Sequence, residues 1–367
     1  MSIKKFYVIL IILTITKSED RNSKPTIGIY SNPYPSSDNI SYNQTEVGIP
    51  YIRWLESSGA NVLIIQQWYS NKEIDDILNN INGVLLIGDE RNITLNQTWE
   101  KNLTYLVNKS LDKNIPIWAT SLGFEIIHVL IGNKDILEFG FDDKNVIHSF
   151  NNIDYNSKMF SLFNQNLLMS FNESLGYFNH KFSINKTKFN TEKKLTDFFK
   201  ITSYSKDMKS KEFINSVEGI NKKIYANQFN PEKIPFQRKN YNNIEYEKNS
   251  IRVSTFLGIF FVEECRKNGN KFNLDKKKYY FIDSYENNNQ NSSIDSKNEI
   301  IIFTHNKTKG KEQVPTKQGT NKTILIVFLI ILIIIAVFAG IYLFIKNKRI
   351  QNNLLDENEI SQYHFSK

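Results

Sequence analysis

The sequence predicts a mostly parallel α/β sheet flanked by helices, on three observations. Short apolar, β-prone runs alternate with stretches whose apolar residues recur at helical spacing. Such alternation implies parallel strands joined by right-handed crossovers. Once the polar and apolar ends are set aside, about 255 residues remain (19–273), which suits one domain.

The elements follow in order. TIGIY (26–30) is a strand that ends before Asn32-Pro33, and residues 45–58 carry Val47, Ile49, Tyr51, Ile52 and Leu55 at helical spacing up to Gly59. NVLII (61–65) is the next strand and KEIDDILNNI (72–81) the next helix. GVLLIG (83–88) and PIWAT (116–120) are strands separated by the helical TWEKNLTYLVNKSL (98–111). In such sheets, sites form beyond the carboxyl ends of strands, so chemistry is expected after Gly88 and Thr120. FFVEECRKN (260–268) is a late amphipathic helix carrying Cys265, expected as a half-buried structural thiol. EIIIF (299–303) reads as one more strand.

Composition narrows the classes. The 367 residues hold 46 Lys+Arg against 38 Asp+Glu, a formal charge of +8, and one Cys. A hydrophobic fraction of 40% supports a core, so wholesale disorder is excluded. One cysteine excludes an internal disulfide, a cysteine-based zinc site and an iron–sulfur cluster. A mean hydropathy of −0.40 excludes many membrane spans but can hide one.

Two apolar runs stand apart from the domain. Residues 1–18 place Lys4 and Lys5 before an apolar stretch from Phe6 to Ile15, the layout of a secretory signal. Ile324–Ile345 has 22 residues without a charge, roughly 33 Å as a helix, enough to cross a bilayer. Lys346, Lys348 and Arg349 follow and match the positive-inside rule. The expected organisation is a signal (1–18), a domain (19–273), a polar stalk (274–323), one transmembrane helix (324–345) and a cytoplasmic tail (346–367). That is a single-pass type I protein of a surface or endolysosomal membrane, with its bulk outside the cytosol. Much of the positive charge sits in the targeting segments and stalk, so no nucleic-acid partner is predicted. Eleven N-x-[ST] sequons offer glycan acceptors in such a location. His148, His305 and His364 lack ligand partners at a recognisable spacing, so neither metal nor cofactor is expected.

The segment IPIWATSLGFEIIHVLI (115–131) runs from strand through a turn of the form small-x-Ser-x-Gly into a helix. A nucleophile elbow uses this geometry: the side chain stands at the strand end, with a helix N-terminus behind it. WATSLGFE resembles the W-G-T-C-L-G-F-E elbow of gamma-glutamyl hydrolases, which belong to the class I glutamine amidotransferase-like proteins. YIRWLESSGANV (51–62), INGVLLIG (81–88), FNHKFSI (178–184), VEG (217–219), QFNPEK (228–233) and FFVEECRKN (260–268) agree in order.

The resemblance implies that fold and a thiol-based acyl transfer, with gamma-glutamyl or folate polyglutamate ligands. A Cys attacks the gamma-amide carbonyl, a His carries the proton, and an acidic residue orients the His. Carried over, the nucleophile position is Ser121 and the base position of Q-W-H-P-E is Asn230, while Glu232 persists. The oxyanion donors map to Leu122, beside the nucleophile, and to Gly88-Asp89, where the family has Gly-Gly. His180 matches a His that lines the family's substrate cleft. An Asn accepts no proton, and a Ser hydroxyl depends on an adjacent base. The resemblance therefore implies a catalytically inactive relative that keeps a ligand cleft, and the apolar run at 324–345 adds a membrane anchor. The alternative is an active peptidase trimming folate polyglutamates with Ser121 and His180. His128, seven residues past Ser121 and about 10 Å up the same helix, is out of reach.

Overall fold

A computed structural model describes residues 22–35, 40–237, 247–272 and 292–305. The chain divides into two compact units, residues 1–306 and 307–367. The second unit, the expected signal (1–18) and YYFI (279–282) lie outside the described residues, as do the apolar run Ile324–Ile345 and the tail. Among the described residues no helix is long and apolar enough to cross a membrane.

The first half contains β1 (Thr26–Tyr30), β2 (Asn32–Pro35), β3 (Ile40–Gly48), α1 (Ile49–Ser57), β4 (Asn61–Ile65), α2 (Asn71–Leu78), β5 (Gly83–Leu86), α3 (Thr98–Asp112), β6 (Ile117–Thr120) and α4 (Leu122–Ile131). Then come β7 (Glu138–His148), α5 (Gln165–Met169), β8 (Gly176–Ser183), α6 (Lys186–Thr191), α7 (Lys193–Phe198), β9 (Phe199–Lys206) and β10 (Glu212–Gly219). The last elements are β11 (Ile224–Asn227), α8 (Lys233–Phe236), α9 (Lys248–Arg266), β12 (Ser292–Asp295) and β13 (Ile300–Thr304).

The main sheet has the order β4-β1-β5-β6-β11-β10-β9. Its first five strands are parallel, and β10 and β9 extend it antiparallel. The predicted α/β class with a mostly parallel sheet is therefore observed. Strand alternation divides the apolar core in two. Ile27, Ile29, Val62 and Ile64 share one cluster with Trp54 of α1 and Phe261 of α9. Tyr30, Leu63 and Ile65 share the other with Leu103 of α3 and Ile127 of α4. Each such side chain, fully buried, contributes about 1.5–3 kcal/mol.

Cys265 is fully buried, not half-buried as expected, because α9 lies directly on the start of β5. A Cβ on Gly83 would stand 2.3 Å from its Sγ. Burial pushes the thiol pKa up, which leaves it unreactive. Gly83→Ala should destabilise the fold by about 1–3 kcal/mol through overpacking. Cys265→Ala in the same chain should recover part of that loss, measurable as a melting-temperature cycle.

The helix expected over 45–58 begins only at Ile49. Residues 40–48 are instead the inner strand β3 of a second, antiparallel sheet, β12-β13-β3-β2. Val47 pairs with Ile301 and Glu46 with Ile302, so a partner some 250 positions away overrides the local helical spacing. Pro50 in the first turn of α1 sets the boundary. The predicted strand near 299–303 is β13, and with β12 it interrupts the stretch expected as stalk. Ile301 and Phe303 are buried, and the Glu299 carbonyl accepts from the Ile49 N–H at 2.8 Å. Residues 292–305 thus pack on the domain.

Candidate active site

β6 ends at Thr120 and α4 starts at Leu122, so the whole turn falls on Ser121. Its φ of 53° and ψ of −112° lie where a non-glycine residue is strained by about 1–3 kcal/mol. Thr120 Oγ1 donates to the Phe229 carbonyl at 2.6 Å, and Ser121 N–H to the Asn227 carbonyl at 2.9 Å. These bonds lock the elbow to the end of β11. Gly123 is required behind it, since a Cβ there would stand 2.6 Å from the Leu86 carbonyl oxygen.

Ser121, Asn230 and Gly88 come together although 33 and 109 positions separate them. A Cβ on Gly88 would meet Asn230 Oδ1 at 2.8 Å, Ser121 Cβ at 2.9 Å and the Tyr51 hydroxyl at 2.9 Å. Tyr51 is a hub that sequence reading missed. Its hydroxyl accepts from the Gly88 N–H at 2.9 Å and donates to Asn230 Oδ1 at 3.3 Å. YIRW carries the family resemblance, but a tyrosine on an amphipathic helix reads equally as core. These residues, with Glu46, Asn179 and Lys233, line a pocket of about 210 Å³.

Glu232 is wholly buried, and neither carboxyl oxygen has a well-formed hydrogen bond. Burial raises its pKa to about 7, against lowering by Lys233 and Tyr51. Burial and then Asp89 raise Glu46 to about 7 as well, opposed by Arg91 and Lys233. Arg91 pins the loop after β5 by pairing with Asp89 and donating to the Pro33 carbonyl at 2.7 Å. Glu125 of α4 is raised to about 8 by burial, although Gln228 donates to it at 3.1 Å.

His180 lies on β8, in a separate larger pocket of about 370 Å³ that also includes Glu125, Lys144 and Lys181. The two pockets share Asp89, Glu90 and Asn179, and Asn179 donates to Glu90 at 2.6 Å. The His180 Nδ1 is 2.9 Å from the Phe182 carbonyl, and Nε2 is 3.2 Å from Asp143 Oδ2. Asp143 also holds His148 Nε2 at 2.6 Å. Burial opposes ionisation of Asp143, but its bonds to His148 and His180 hold the pKa below the usual carboxylate range. Both His180 nitrogens thus face acceptors, and no hydrogen bond joins His180 to Ser121 among the described residues. This geometry disfavours the Ser121–His180 pair. His128 is buried, its Nδ1 2.7 Å from the Phe124 carbonyl, and takes no part. Leu122, the next residue in the chain, is the first of α4.

The Peptidase C26 family profile matches residues 25–232, a span that holds the elbow, Asn230 and Glu232. The chain belongs to the peptidase C26 family. The matched span runs through the whole parallel part of the main sheet, from β1 to β11. Among peptidase C26 relatives, gamma-glutamyl hydrolase B of Dictyostelium discoideum is 29% identical over 321 residues, covering 85% of this chain and 92% of that protein. The gamma-glutamyl hydrolase of Mus musculus is 34% identical over 233 residues, covering 62% of this chain and 73% of its own. That of Rattus norvegicus is 31% identical over 271 residues, covering 70% and 83%.

Proposed function

We propose that this peptidase C26 protein binds gamma-glutamyl or folate polyglutamate ligands without cleaving them. The observation that carries the reading is the state of the base position. Asn230 has no titratable nitrogen, and its Oδ1 is turned to Tyr51. Glu232, which would orient an imidazole, is buried beside it with none to orient. Ser121 keeps the elbow, but among the described residues its hydroxyl is hydrogen-bonded to no imidazole or carboxylate. In a serine protease, loss of nucleophile or base costs about a millionfold in kcat.

The ligand class rests on the relatives, which are gamma-glutamyl hydrolases, and on the pocket holding Lys144 and Lys181. The domain acts outside the cytosol, anchored by Ile324–Ile345. This location is supported by the charged and apolar layout of residues 1–18 and by the lysines after the apolar run.

The full-length protein should release no glutamate from poly-gamma-glutamyl folate, while the ligand raises its melting temperature. Robust release that disappears in Ser121→Ala would overturn the proposal.

A further inference from the structure

Seven of the eleven sequons have their Asn among the described residues, and their side chains are not equivalent. Asn102 is committed. Its Nδ2 donates to the Gln67 carbonyl at 2.7 Å and to the Tyr69 carbonyl at 3.2 Å, holding the loop between β4 and α2 against α3. Asn185 is committed too. Its Nδ2 donates to Glu138 at 2.8 Å, while its Oδ1 accepts from the Lys188 N–H at 2.8 Å and caps α6. A sugar on either nitrogen would remove one N–H and force bulk into a packed contact.

Asn92 and Asn96 differ in each respect. Both stand exposed in the irregular loop between β5 and α3, and neither side chain has a hydrogen-bond partner among the described residues. Asn92 also lies on the rim of the larger pocket, near Glu125 and His180.

We infer that the folded protein carries N-linked oligosaccharide on Asn92 and Asn96 and none on Asn102 or Asn185, so that sugar stands at the rim of the larger pocket. The inference rests on the extracytosolic location proposed above. In the transfer step, the Asn amide nitrogen bonds to C1 of a lipid-pyrophosphate-linked oligosaccharide. The C1–O bond breaks, the lipid pyrophosphate leaves with the electron pair, and the amide loses one proton to the transferase. Attachment precedes folding, so the committed sites are judged on molecules that have folded.

The test expresses the full chain in a eukaryotic secretory host and isolates the folded fraction. Enzymatic glycan release then leaves a deamidation mass tag at each occupied Asn. The tag is expected on Asn92 and Asn96 and absent from Asn102 and Asn185. Asn92→Gln should lose one glycan mass and keep its melting temperature. Tags at Asn102 or Asn185, or an untagged Asn92 beside tagged sequons elsewhere, overturn the site assignment. A chain untagged at every sequon, with residues 1–18 retained, overturns the inference through its location instead.

Discussion

Ser121→Cys/Asn230→His should hydrolyse poly-gamma-glutamyl folate at a measurable rate, while the parent and both single variants stay at background. The expectation follows from geometry already in place. The Gly88 neighbourhood brings Ser121 Cβ and Asn230 Oδ1 to the same point, so an imidazole at position 230 can reach a thiol at 121. Glu232 waits behind, its carboxyl oxygens without a well-formed hydrogen bond, to orient it. A thiol needs less help than a hydroxyl, being a few per cent ionised at neutral pH. The single variants fail because nucleophile and base act as a unit, and their effects do not add. The rescue should be incomplete. The Gly88 N–H, in the loop where the family resemblance places an oxyanion donor, is already bonded to the Tyr51 hydroxyl. One missing donor costs about 10²–10³ in kcat. Initial rates of glutamate release check the result. A double variant that melts like the parent yet stays inert would refute the idea that only two side chains separate this cleft from catalysis.

Thermal stability should be greatest near pH 5 and should fall steadily toward pH 8. Glu232 and Glu46 are raised to about 7 and Glu125 to about 8, all chiefly by burial. In the unfolded chain such groups ionise near 4.5. Between these values the folded state holds more protons, so stability is fully present below about 4.5 and is lost as the pH rises through 7 to 8. For Glu232 alone the change is about 3 kcal/mol. His128 opposes the trend, since burial lowers its pKa to about 4, so it adds stability as the pH rises toward 6.5. Three carboxyls outweigh it. Asp143, held low, sets the acid limit: its contribution is lost as the pH falls below the usual carboxylate range. Glu232→Gln should raise the melting temperature at pH 8 and flatten the slope. A melting temperature that climbs with pH across this window, or a variant as steep as the parent, would count against burial as the dominant influence on Glu232.

These two expectations depend unequally on what sequence could reveal. The strands at 26–30, 61–65, 83–88 and 116–120 were legible because buried strands are locally apolar and β-prone, with punctuation at their ends. The elbow at Ser121 was legible because its small-x-Ser-x-Gly pattern straddles a strand and a helix. The start of α1 was not, because residues 40–48 become a strand only through β13. Tyr51, Asp143 and Arg91 were invisible as site residues for a similar reason. Each acquires its role from partners far away in the chain.

The amino-acid sequence by itself determined the sheet class, the family and the presence of Ser at 121 and Asn at 230, because all three reside in residue identity and short-range spacing. The tertiary structure alone decided that Tyr51 joins Gly88 to Asn230, that His180 is turned to Asp143 and Phe182, and that Glu232 is left buried. Contacts of that kind are set by packing between distant segments, and hydrogen-bond geometry cannot be read from spacing along a chain.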